Sequence, residues 1–232
     1  MNFDKIYICG DIHGEFELFE KFIYDEKPDI ILQCGDFGIW PKFNNLNMLS
    51  ENKKYKFNLK IPNYTKLFFC DGNHEDHDYL DSLNELNENE IFSNVFYMKR
   101  GSVLTINNKN ILFMGGADSI DKRERTIKLD WFPQEIISQK DIYNLPDVNI
   151  EIVISHTCPE YVFDIVNTKF FGRCTKYNDP SRIALDYVFE KYKPKKWYFG
   201  HFHQTMQFSF HGCDFYVLNL FDSKGFAITC PL

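Results

Sequence analysis

Five short segments of the chain are dense in residue types that bind metal ions. They are Gly10-Asp11-Ile12-His13-Gly14, Gly35-Asp36, Gly72-Asn73-His74-Glu75, Ser155-His156 and Gly200-His201-Phe202-His203. Five of the seven histidines fall in them, leaving His77 and His211 elsewhere. Asp11 and His13 stand two apart, as do His201 and His203, so each pair reaches one ion if the chain turns there. Carboxylate oxygen with imidazole nitrogen suits manganese, iron or zinc, and the lack of thiolate ligands argues against a structural zinc site. Taken singly, each segment has a plainer reading. Asp-x-His is commonly a solvated turn, and Asn73 is the kind of residue that adopts a left-handed turn. The series is harder to dismiss, because every member directly follows an apolar run.

Those runs are the elements that must position the candidate ligands. Lys5–Cys9, Asp29–Cys34 and Thr65–Cys70 each read as a strand leading into a Gly-punctuated loop, with helices expected over Glu15–Glu26 and Asp78–Asn89. Val95–Met98, Ser102–Ile106 and Ile111–Met114 read as short strands, the last two joined by a hairpin turn at Asn107–Asn110. Ile150–Ile154 is a further apolar strand. Asp179-Pro180 pairs an N-cap with a proline at the first helical position, opening a helix that runs to about Lys191. Strands are expected near Lys196–Phe199, Thr205–Phe208, Phe215–Leu218 and Gly225–Thr229. Strand–helix–strand units followed by many strands give an α/β chain with more than one sheet. Loops beyond the carboxyl ends of strands in such sheets are where ligands bind, and glycine there allows close backbone approach.

The 232 residues suit one domain, expected to span 1–232. Hydrophobic residues make up 44% and charged residues 25%, ordinary for a globular chain, with aromatics at 17%. The net charge of −7 gives no broad attraction to nucleic acid or to an anionic membrane, which disfavours both as partners. Seven scattered cysteines without a C-x-x-C pair, and no leader or apolar stretch of roughly 20 residues, point to free thiols and a cytoplasmic location. Cys9, Cys34 and Cys70 read as small buried hydrophobes.

The ordered set GDIHG, GD, GNHE, SH and GHFH resembles the calcineurin-like metallophosphoesterases, and the resemblance runs from Asp11 to His203. It implies an α/β fold, a four-layer αββα sandwich of two mixed β-sheets flanked by helices, with a dinuclear metal centre. By position it implies Asp11, His13 and His203 as ligands of one divalent ion, Asn73, His156 and His201 as ligands of the other, and Asp36 as the bridge. Manganese is the expected metal, with iron, zinc, nickel or magnesium as alternatives. The reaction implied is hydrolysis of a phosphomonoester or phosphodiester by a metal-bound hydroxide, with His74 assisting the leaving group.

The chain departs from the serine/threonine phosphoprotein phosphatases of that superfamily, which carry a downstream Asp-Arg-Gly where this chain reads Gly35-Asp36-Phe37-Gly38-Ile39-Trp40. The Arg that grips phosphate there is missing, and Asp71, Glu75 or Asp76 is left to orient His74. The block Gly115–Arg125, with Trp131–Glu135, resembles small bacterial and phage-type members. From it Arg125, and after it Arg123, are the candidates to bind phosphate, since a guanidinium fork matches phosphate oxygens. Phe163–Asn178 is either a lid or a structural connection. The expected partner is a small phosphorylated substrate or nucleotide; alternatives are a phosphoprotein phosphatase, a nuclease or nucleotide phosphodiesterase, and a non-catalytic scaffold.

Overall fold

Strands with no polar residue in alternation must be covered on both faces. That is the case for β1 (Ile6–Cys9), β2 (Ile30–Gln33) and β8 (Ile152–Ser155), every residue of which is buried. The computed structural model describes residues 3–40, 59–86, 89–171, 177–221 and 227–229. The other strands are β3 (Lys66–Phe69), β4 (Glu90–Phe92), β5 (Val95–Tyr97), β6 (Val103–Ile106), β7 (Lys109–Met114), β9 (Lys196–Phe199), β10 (Met206–Phe210), β11 (Cys213–Val217) and β12 (Ala227–Thr229). They form two six-stranded sheets, ordered β12-β1-β2-β3-β5-β4 and β10-β11-β9-β8-β7-β6. Both sheets follow one plan: four parallel strands in the middle and an antiparallel strand at each edge.

Three apolar cores separate four layers. The first lies between the first sheet and helices α1 (Phe16–Glu26) and α2 (His77–Leu86), and contains Phe19, Ile23, Phe69 and Leu80. The second lies between the sheets, where Ile8, Ile30 and Leu32 meet Phe113, Ile154 and Tyr198. The third packs the second sheet against α4 (Glu160–Phe171) and α5 (Pro180–Tyr192), around Trp197, Phe199, Val162 and Leu185. This is the αββα sandwich of two mixed sheets. The described cysteines are all buried and divide among the cores: Cys9 in the first, Cys34 and Cys70 in the second, Cys158 and Cys213 in the third. No helix among the described residues is long and apolar enough to cross a membrane.

Local chemistry explains most boundaries. Asp179 accepts a hydrogen bond from Ser181 N (2.7 Å) ahead of Pro180, opening α5 as read from the sequence. Asn107 and Asn108 both have positive φ, the backbone of a tight two-residue hairpin between β6 and β7. His211 and Gly212 do the same between β10 and β11. Three elements escape periodicity: the short edge strand β4, α4, and α3 (Gln139–Tyr143), which is held by a capping box between Ser138 and Asp141. The segment Phe163–Asn178, read as either a lid or a structural connection, is partly helical. Its first half, from Phe163, lies in α4, where Phe163 and Val166 are buried in the third core; residues 172–176 lie outside the described residues.

Candidate metal centre

Each of the five segments leaves the carboxyl end of a parallel strand, three in the first sheet (β1, β2, β3) and two in the second (β8, β9). The strands end at one edge of the sandwich, so residues 190 positions apart in sequence meet. The turns are tight. His13, Asp36, His201 and His203 all have positive φ, the left-handed region that residues with a Cβ rarely occupy. Gly72 lies so close to Asp36 that a Cβ there would overlap its Oδ1 and its backbone nitrogen.

The candidate ligands form two overlapping groups. In one, ligand atoms of Asp11, His13 and His203 all lie within 4.8 Å of one another; in the other, those of Asp11, Asp36 and His156 do. Asp11 is fully buried, with Oδ2 3.0 Å from His203 Nε2 and 3.7 Å from His13 Nε2, and it also accepts from the His201 backbone N–H at 2.9 Å. Asp36 Oδ1 accepts from the His74 backbone N–H at 2.8 Å, while Oδ2 lies 3.4 Å from His156 Nε2 and 3.7 Å from His13 Nε2. Burial favours the neutral form of both carboxyls, but the surrounding imidazoles outweigh it and hold both below the usual carboxylate range.

The donor set fits a divalent cation. His156 Nδ1 donates to the Cys34 carbonyl at 2.8 Å, which leaves Nε2 as the lone-pair face of a neutral ring. That Nε2 is 3.0 Å from Asn73 Oδ1 and 3.2 Å from His201 Nδ1. Likewise His13 Nε2 faces His203 Nε2 at 3.3 Å. Lone pairs of oxygen and imidazole nitrogen converge here, and positive charge among them is what reconciles the arrangement. Without an ion a proton takes part of that role: burial lowers His156, but Asp36 outweighs it and raises the ring to about 10. His201 is instead pushed down to about 3, first by burial and then by the His156 charge.

His74 stands beside this cluster rather than within it. Its ring centroid is 5.3 Å from that of His13 and 4.2 Å from that of Trp40. Burial, reinforced by Arg125 and opposed by Asp36, holds the ring down to about 4, so it is neutral at pH 7. Of the candidate orienting carboxylates, Asp71 is bound to Arg100 (2.6 and 3.0 Å) and to Tyr97 Oη (3.2 Å). Glu75 accepts from the backbone N–H groups of Phe37 and Ile39, bracing the loop that carries Asp36. Asp76 accepts from Tyr79 N at the start of α2. The side chain that faces the His74 ring is Arg125, with Nη1 3.1 Å from Nδ1 and Nη2 3.1 Å from Nε2, while Asp121 pairs with it at 2.7 Å. Arg123 lies exposed on the 3-10 turn Lys122–Glu124. His77, outside the motifs, is buried with its Nε2 3.1 Å from the Gly72 carbonyl.

Sequence reasoning missed the support behind Asn73. Asn73 Nδ2 donates to Ser119 Oγ (3.1 Å), Ser119 Oγ donates to Glu135 Oε2 (2.9 Å), and Glu135 Oε1 accepts from Ser119 N (2.6 Å) and Trp131 Nε1 (3.0 Å). Ser119 and Glu135 lie in the two blocks noted for their resemblance, but nothing in spacing marks their role.

The calcineurin-like phosphoesterase profile matches residues 4–205. Among curated proteins, the lariat debranching enzyme of Schizosaccharomyces pombe is 25% identical over 86% of this chain and 48% of its own length. That of Arabidopsis thaliana is 23% identical over 86% and 54%. The chain thus spans about half the length of the curated relatives it matches. Among solved structures, TT1561 of Thermus thermophilus superposes with a TM-score of 0.52 at 12% identity, covering 94% of this chain and 90% of that one. The phosphopantetheinyl hydrolase of Mycobacterium tuberculosis gives 0.51 at 13%, covering 93% and 89%. At such identities these two similarities speak for the fold alone.

Proposed function

This chain belongs to the calcineurin-like phosphoesterases, and from that membership we propose that it hydrolyses a phosphoester at a centre of two divalent ions. One observation carries the reading: Asp36 Oδ2 reaches His13 on one side and His156 on the other, at 3.7 and 3.4 Å. A carboxylate so placed serves both ions. Asp11, His13 and His203 then hold one, and Asn73, His156 and His201 the other. The oxygen and nitrogen donors make manganese the ion to test first. When bound, two such ions supply Lewis acidity, drawing charge from phosphoryl oxygens and making water a nucleophile near neutral pH.

The remaining work falls to side chains of this chain. A neutral imidazole has one lone pair, yet the Arg125 guanidinium offers N–H groups to both nitrogens of His74. One of those contacts therefore sets donor against donor, a spot that an anionic oxygen would relieve. In this proposal a phosphate oxygen draws Arg125 away, and the N–H of His74 is released to hydrogen-bond the departing oxygen. Arg125 is already compensated by Asp121, which suits a singly charged diester better than a doubly charged monoester. The similarity to lariat debranching enzymes supports a diester as well. The substrate class we favour is a small phosphodiester or nucleotide.

The test is hydrolysis of bis-p-nitrophenyl phosphate against p-nitrophenyl phosphate with Mn²⁺, using Asp36→Asn as control. The diester should be preferred, and the variant should lose activity and bind metal weakly. Full turnover by Asp36→Asn would sink the two-metal reading; a monoester preference would overturn the diester assignment alone.

A further inference from the structure

An asparagine can ligate a metal only through its carbonyl oxygen, yet nothing in its shape decides whether oxygen or nitrogen points inward. When the His156 ring is neutral, the form that metal ligation requires, the local chemistry around Asn73 favours the wrong answer. His156 Nε2, 3.0 Å away, is a lone-pair acceptor whenever its ring is neutral, because Nδ1 donates to Cys34. A flipped amide would donate Nδ2–H to that nitrogen and be satisfied there. Something on the opposite side must oppose the flip.

We propose that Ser119, held by Glu135, is a positioning residue that turns the Asn73 amide oxygen toward the metal centre. Both residues are buried, at 1% and 0% exposure, so water does not stand in for either. A serine hydroxyl has one proton, and here it goes to Glu135 Oε2. The oxygen of Ser119 is left able only to accept, and it accepts from Asn73 Nδ2. A flipped Asn73 would bring its carbonyl oxygen against that lone pair. Glu135 is itself fixed by the backbone N–H of Ser119 and the indole N–H of Trp131. The polarity of the chain Glu135–Ser119–Asn73 is thus set at the carboxylate, which can only accept. The same segment brings Arg125 to His74, so both residues of the Asn73-His74 pair are addressed from it.

The inference rests on the two-metal reading above, and its test separates the two. Mn²⁺ is titrated calorimetrically into metal-free wild type, Ser119→Ala, Ser119→Thr and Glu135→Gln. The buffer is set at pH 8, above the value of about 7 to which burial raises the Glu135 carboxyl. Glu135→Gln is nearly isosteric, but its amide donates to Ser119, frees the hydroxyl proton for Asn73, and so reverses the chain. Wild type should take up two ions. In Ser119→Ala and Glu135→Gln one ion should bind as before and the other roughly ten- to hundredfold more weakly, with Ser119→Thr close to wild type. Equal affinity for both ions in both variants would overturn the inference while leaving the centre intact. Wild type binding fewer than two ions would overturn the two-metal reading and this inference together. If Ser119→Ala does not fold, Glu135→Gln decides the question.

Discussion

At the scale of the residue, the candidate site divides into groups that converge and one that stands aside. Lone pairs of Asp11, His13, His156 and His203 face inward, whereas the His74 ring is met by Arg125 and Trp40. His74→Ala should therefore leave uptake of both metals unchanged and slow turnover by about 10²- to 10³-fold, the range for a lost hydrogen-bond donor to developing negative charge. The loss should be smallest for p-nitrophenolate and grow as the leaving group becomes more basic. A loss of the same size across a leaving-group series, measured by kcat, would show that the ring acts otherwise. The ligand candidates were legible in the sequence because metal chemistry permits few residue types and each stands just past a strand. The surroundings of His74 were not, because Arg125 is 51 positions away and the three acidic neighbours that looked suitable are committed elsewhere. Glu75 illustrates the difficulty: it sits beside His74 in the chain, yet its carboxylate braces the Asp36 loop.

At the scale of the element, strands deliver the ligands and the turns after them aim the side chains. Positive φ at His13, Asp36, His201 and His203 is a strained choice repeated four times at one edge of the sandwich. Periodicity cannot reveal it, since backbone conformation in a turn leaves no hydrophobic pattern. The glycines beside these residues are a partial signal. Gly72→Ala would drive a Cβ into Asp36, so the variant should hold at least about tenfold less tightly bound metal. Elemental analysis after dialysis measures this, and a metal content equal to wild type would refute the close approach. Element identity was legible where burial on both faces leaves unbroken apolar runs, as in β2 and β8, and where Asp179 and Pro180 mark the start of α5. It failed for α4, where buried Phe163 and Val166 are followed by the polar run Asn167-Thr168-Lys169, which interrupts the apolar pattern.

At the scale of the whole molecule, the centre joins the two sheets: Asp11, Asp36 and Asn73 belong to the first, His156 and His201 to the second. Under the proposed reading, ions bound there would act as a clasp across the central core. Each Mn²⁺ at a hundredfold above its dissociation constant should stabilise the folded state by about 2.7 kcal/mol. For a chain of this size that is a Tm rise of roughly 5–10 °C for each ion bound, reversed by a chelator. Superimposable melting curves with and without the ion would contradict a centre that spans both sheets. The distribution of cysteines makes the same layering accessible in time. Each interior layer carries at least one native thiol: Cys9 behind the first helices, Cys34 and Cys70 between the sheets, Cys158 and Cys213 behind the second pair of helices. Burial also raises these thiols and keeps them unreactive while the layers stay shut. The rate at which each becomes alkylated is therefore a clock for the opening of its own layer, so the order in which the sandwich comes apart is written into its chemistry without any engineered label.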